Sequence, residues 1–208
     1  MKKIQRSILT GTEKDKIKKL RKQIIRWGYS HKIDFAWRKK PTPYSILMAE
    51  IFLQRTKAKQ AEVQFKLFLK KYPSFQRLRS SKIRDLEKYL IPLGLKKRVK
   101  LLYGLIRSIS KDYKERIPEN YDSLIKLPGV GDYTANAIII FALNKSAGLV
   151  DSNTIKIFSA LFGLKITREE GKRSKFIKSC AEYYSSLGNP RISNWLLLDY
   201  AKNKASYR

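Results

Sequence analysis

The 208 residues carry 46 Lys+Arg against 17 Asp+Glu, a formal net charge of +29, with 43% hydrophobic residues. That apolar fraction excludes a disordered or fibrous chain, and the charge surplus implies a polyanionic partner, nucleic acid before an anionic membrane. One cysteine, Cys180, and one histidine, His31, argue against a disulfide framework, cysteine-built zinc or iron–sulfur sites, multi-histidine metal sites and a Ser-His-Asp triad.

The basic start Met1-Lys2-Lys3-Ile4-Gln5-Arg6 has no apolar segment behind it, so no secretion signal is expected. Apolar residues at Ile17, Leu20, Ile24, Ile25 and Trp27 predict a first helix, which Gly28 is expected to break. Asp34 to Tyr44 reads as a loop, and Pro43 suits the first turn of a helix running to about Arg55. A second amphipathic helix carries Ala61, Val63, Phe65, Leu67, Phe68 and Leu69 and stops at Tyr72-Pro73. Ser80 or Ser81 is the expected cap of a helix over Lys82 to Leu90. Lys96 to Tyr113 reads as a long basic helix with Val99, Leu101, Leu102, Leu105, Ile106 and Ile109 inward. Short helices are predicted at Tyr121 to Lys126 and Tyr133 to Leu143. Asp151 or Ser152 caps the next, to about Phe162, and the last two span Glu169 to Leu187 and Ser193 to Lys202. The fold class is all-α, without repeats or a long linker. The longest apolar run, Ala137 to Leu143, is far too short to cross a bilayer, so a soluble protein with no membrane partner is expected.

Three segments suggest chemistry. In Leu124-Ile125-Lys126-Leu127-Pro128-Gly129-Val130-Gly131-Asp132-Tyr133-Thr134-Ala135, two glycines flank one apolar residue between helices. Glycine permits the tight backbone, and a helix start without a side-chain cap offers N–H groups to a phosphate. This is a helix–hairpin–helix pattern, which holds DNA backbone and not base sequence. Val150-Asp151-Ser152-Asn153 opens the following helix. Asp before a helix is usually only a cap, but beside a phosphate cradle its carboxylate could stabilise an oxocarbenium-like cation. Glu50 is one acid within Ser45-Ile46-Leu47-Met48-Ala49-Glu50-Ile51-Phe52-Leu53. That helix has little polar face, so burial or a pocket is expected, where desolvation favours a proton on the acid. One turn later, Gln54 could wedge into a duplex gap and Arg55 could contact a base or phosphate. Lys96-Lys97-Arg98 is a phosphate-binding candidate whose plainer alternative is a solvated face.

Together these residues resemble the helix–hairpin–helix, Gly/Pro-Asp superfamily of DNA glycosylases, over about Trp37 to Asp199. Trp37-Arg38, Pro43-Tyr44, Glu50 and Leu53-Gln54-Arg55-Thr56 are similar to its adenine and thymine mismatch branch. The resemblance implies that a flipped nucleotide enters a cleft between two helical domains and loses its base. It matches Asp151 to the invariant aspartate, Glu50 to the glutamate of base recognition and leaving-group protonation, and Asn153 to the asparagine after the aspartate. Bifunctional members carry lysine two residues after the second hairpin glycine; here Tyr133 stands there, which implies a monofunctional enzyme without lyase activity. Tyr133 and Arg55 are similar to the archaeal-type thymine mismatch glycosylases. The expected function is therefore excision of thymine or uracil opposite guanine in base excision repair. The alternatives are adenine removal opposite guanine or 8-oxoguanine, or a non-catalytic DNA clamp.

The implied DNA contacts are Gln54, Arg55, Leu127, Gly129, Val130, Gly131, Thr134, Lys96, Lys97 and Arg98, with Asp151, Glu50, Tyr133 and Asn153 catalytic. The implied domains are a six-helix barrel at 30–143 and a second helical domain from 1–29 plus 144–208. Relatives usually carry a four-cysteine [4Fe–4S] loop whose first cysteine would fall near Ala205, so no cluster and no metal are expected, beyond a monovalent cation at the hairpin. The expected partner is double-stranded DNA with a mismatched or deaminated base, bound by a monomer in the cytoplasm of a prokaryote, at the nucleoid.

Overall fold

Apolar residues at three- and four-residue spacing, punctuated by caps, wind nearly the whole chain into helices, and no strand forms among the described residues. The computed structural model describes residues 5–31 and 33–205, with Lys204 and Ala205 by backbone alone. The expected basic start at Met1 to Ile4 lies outside the described residues. The chain divides into two compact units, residues 1–33 with 144–208, and residues 34–143.

The first unit packs α1 (Gly11–His31), α10 (Ser152–Phe162), α11 (Arg168–Arg173), α12 (Lys175–Ser186) and α13 (Pro190–Ala205) around Ile17, Ile24, Phe158, Phe176, Tyr184 and Leu197. Gly28 does not break α1. The helix runs through it, because a Cβ there would meet the Leu196 side chain at 2.6 Å, so glycine is needed for close packing on α13. Expected as one helix, Glu169 to Leu187 is two. Ser174 adopts an extended backbone, ends α11 and caps α12 by accepting from the Ile177 N–H at 3.2 Å. Tyr184 is buried and donates to the Ser193 carbonyl at 3.1 Å, and burial pushes its hydroxyl pKa up.

The second unit holds α2 (Ala36–Lys39), α3 (Pro43–Leu53), α4 (Ala58–Lys71), α5 (Phe75–Leu78), α6 (Ile83–Leu90), α7 (Lys96–Asp112), α8 (Tyr121–Leu124) and α9 (Asp132–Ala137). The expected loop from Asp34 to Tyr44 contains α2, because Trp37 turns inward between Phe35 and Phe65. Thr42 and Ser45 form a reciprocal cap and Pro43 opens α3. Every residue from Ser45 to Phe52 is buried, as a helix apolar on all sides requires. It packs against α4, α9 and the turn after α9. The cap of α6 is Lys82, not Ser80 or Ser81. The helix expected over Tyr133 to Leu143 begins as α9 and widens into a π-helical turn at Ile138–Ala142.

Candidate active site

The hairpin is built from its buried residues outward. Asn120 caps α8 by accepting from the Ser123 N–H at 2.9 Å. Leu127 and Val130 are buried and tie the loop through Leu127 N–H to Leu124 O and Val130 N–H to Leu127 O, both 3.1 Å. Gly129 has φ +79°, a left-handed conformation that glycine enters without strain. Gly131 is extended and is the N-cap of α9, with no side chain to occupy the first N–H groups of that helix. The two glycines thus serve differently, Gly129 to turn the chain and Gly131 to leave the helix start uncovered. Thr134 is buried with Leu127 and Val130, so these three hold the hairpin from inside while the glycines stand exposed.

A feature the sequence reading did not assign is Tyr121, whose hydroxyl donates to Asp132 Oδ1 at 2.5 Å. The bond joins the two helices of the hairpin and, with burial, pushes the phenol pKa up to about 12. Asp132 lies inside the motif, but nothing in the spacing alone announces its partner eleven residues away.

Gln54 ends α3, and its Oε1 is buried without a hydrogen-bond partner. Gln54, Arg98, Pro128 and Gly129 line one narrow crevice of about 10 Å³, room for one water molecule. The fold therefore brings Gln54, Arg98 and the hairpin together. Arg55 is exposed with φ +55°, a left-handed conformation uncommon outside glycine, and such strain concentrates at functional turns. Lys96, Lys97 and Arg98 occupy the first turn of α7, with no acid there. Cations at a helix N-terminus oppose the helix dipole, a cost that a bound anion would relieve. Glu50 is buried in α3, and Tyr133, the second residue of α9, is half-buried.

In the first unit, Asp151 is the N-cap of α10. Its Oδ1 accepts from the Asn153 N–H at 2.9 Å and the Thr154 N–H at 2.8 Å, and its Oδ2 accepts from Asn153 Nδ2 at 2.9 Å. Thr154 Oγ1 accepts from the Asp151 N–H at 2.8 Å. The carboxylate is half-buried, fixed in direction and placed at the positive end of a helix. The cap and a catalytic role are compatible, since the same bonds that start the helix orient the charge. Asn153 acts here as the carboxylate's partner.

An iron–sulfur cluster requires several thiolates. The only cysteine, Cys180, is buried in the core of the first unit, so these residues do not fit such a cluster. Among the described residues no group of three or more His, Cys, Asp or Glu could hold a metal ion, and no helix is long and apolar enough to cross a membrane.

Residues 112–141 match the helix-hairpin-helix motif family. A thymine-DNA glycosylase of Aeropyrum pernix is 34% identical over 160 residues, 76% of this chain and 71% of that protein. The chain belongs to the helix–hairpin–helix DNA glycosylases of this thymine-DNA glycosylase type. A thymine/uracil-DNA glycosylase of Pyrobaculum aerophilum is 35% identical over 150 residues, 71% of this chain and just under two thirds, 65%, of that protein. An adenine DNA glycosylase of Buchnera aphidicola subsp. Schizaphis graminum is 32% identical over 142 residues, but these make up 41% of its length. The solved structure of a thermostable thymine-DNA glycosylase superposes with a TM-score of 0.80 at 29% identity, covering 90% of this chain and 86% of that one.

Proposed function

We propose that this glycosylase binds double-stranded DNA as a monomer and releases thymine, and uracil, from opposite guanine, leaving an abasic site uncut. The observation that carries the reading is the fixed carboxylate of Asp151, held by three hydrogen bonds at the start of α10. A carboxylate so oriented stabilises the cation that develops at the sugar C1′ as the base departs, and needs no reorganisation to do it. The C1′–N bond breaks with both electrons on the base, Glu50 gives its proton to that base, and water adds its oxygen to C1′ while its released proton returns to the Glu50 carboxylate. In the second unit, the hairpin and the first turn of α7 hold backbone phosphates of the duplex.

The substrate choice is supported by Tyr133 and Arg55, which resemble the thymine branch, and by the larger share of their own length over which the thymine relatives match. A phenol at Tyr133 cannot form a Schiff base, so no strand cleavage follows base loss. The reading assigns the reaction to the chain's own groups, without an iron–sulfur cluster, because a single cysteine cannot ligate one.

The test is a panel of duplexes carrying G·T, G·U, G·A and 8-oxoG·A, scored for base release and for strand cuts before and after alkali. Release from G·T and G·U, with cuts only after alkali, is expected. Preferential release of adenine would replace the substrate reading, and efficient borohydride trapping would overturn the monofunctional one.

A further inference from the structure

A groove of about 620 Å³ opens in the first unit between α10, the start of α11 and α13, within the size range of small-ligand sites. Its walls include Ile155 and Ile166. Two cations, Lys156 and Arg168, line it, and no acid does. Both are exposed, and neither makes a hydrogen bond or salt bridge among the described residues. The neighbouring acid Glu169 bonds Lys172, and Glu170 is engaged by the Thr167 cap. Ser159 also lines the groove, and its hydroxyl oxygen is buried without a hydrogen-bond partner. A buried hydroxyl left unpaired is a cost that an acceptor brought by a ligand removes. Apolar walls, two exposed cations without a salt bridge and one unpaired hydroxyl are complementary to a molecule with an apolar body and an anionic head.

We propose that this groove binds a small amphiphilic anion, with its carboxylate, sulfonate or phosphate between Lys156 and Arg168 and its apolar body against Ile155 and Ile166. Neither the hairpin nor either proposed catalytic acid contributes to it, so the proposal stands apart from the substrate reading.

The probe is 8-anilinonaphthalene-1-sulfonate, titrated by fluorescence onto the whole chain. Saturable binding at one site is expected. The double variant Lys156→Glu/Arg168→Glu should weaken it at least tenfold. So should Ala160→Trp, a change at an exposed position that fills the groove from its rim. Lys57→Glu/Lys59→Glu, which alters net charge equally in the other unit, should bind like the parent. Circular dichroism of each variant separates lost binding from lost fold. Naphthoate and naphthyl phosphate should displace the probe, and their relative strength distinguishes the two head groups, while neutral naphthalenemethanol should not. Excess duplex DNA should leave it bound. The proposal fails if no saturable site exists, if folded groove variants bind like the parent, if the distant pair weakens binding equally, if the neutral analogue competes equally, or if duplex DNA displaces the probe.

Discussion

Glu50 sits in mid-helix, buried on a segment with apolar neighbours on every side, whereas Asp151 stands at a helix end, half-exposed and fully engaged by N–H groups. The second environment fixes the direction of a carboxylate at the positive end of a helix, while the first keeps solvent away from the acid. A cation-stabilising group and a proton donor need those opposite surroundings. Substitutions at each acid separate the two roles.

The largest effect is expected at Asp151. Asparagine caps a helix as well as aspartate does, so Asp151→Asn should fold normally and keep its DNA affinity. Base release in single turnovers should fall about 10³-fold, since the amide keeps an oxygen for the two backbone N–H groups but carries no charge to set against the developing cation. Release at the parent rate would show that Asp151 is a cap and nothing more. Glu50→Gln preserves shape and removes the proton, and should slow release about 10²-fold. A large loss of stability with unchanged release would make Glu50 a structural acid.

These two residues were readable to different depths. The burial of Glu50 follows from its neighbours, because a helix of Ile46, Leu47, Met48, Ile51 and Phe52 has no wet face. Asp151 reads as a cap from its position alone, but the bond from Asn153 Nδ2, which fixes the second oxygen, depends on side-chain direction. Gly28 shows the limit most clearly. Locally it is a helix breaker, and only the packing of Leu196, far along the chain, makes it a helix residue. Ser174 divides what reads as one helix, because residues 168–175 hold no large apolar side chain and so give spacing nothing by which to mark the boundary. The Tyr121–Asp132 bond is likewise invisible to periodicity.

The hairpin glycines offer a smaller, sharper contrast. A Cβ at Gly129 would make only ordinary contact, 3.7 Å from Leu101, so the cost of Gly129→Ala is the left-handed backbone, about 1–2 kcal/mol. A Cβ at Gly131 meets nothing within 4 Å and its φ is ordinary, so Gly131→Ala should leave the thermal midpoint nearly unchanged. Both should weaken duplex binding, the first through a distorted loop and the second by crowding the uncovered N–H groups. If Gly131→Ala binds DNA like the parent, that helix start does not carry a phosphate. At the head of α7, Lys96→Ala/Lys97→Ala should raise stability by about 0.3–1 kcal/mol per charge removed, because cations there oppose the dipole. The same variant should lower the salt slope of duplex binding by about 2. An unchanged slope would make these lysines a solvated face.

The smallest effect belongs to Tyr121. Its bond to Asp132 favours the protonated phenol, so its folded pKa, about 12, lies above the ordinary value of 10.0. The bond's contribution is therefore complete below pH 10 and disappears as pH rises through about 12. Tyr121 is only partly buried, and solvent screens the interaction, so the change in midpoint should be slight. Tyr121→Phe should remove that alkaline step while leaving the ring's packing in place, and at neutral pH it should loosen the hairpin enough to weaken duplex binding modestly. Parent and variant melting curves that run parallel from pH 9 to 12 would show that the bond does not hold the two helices together.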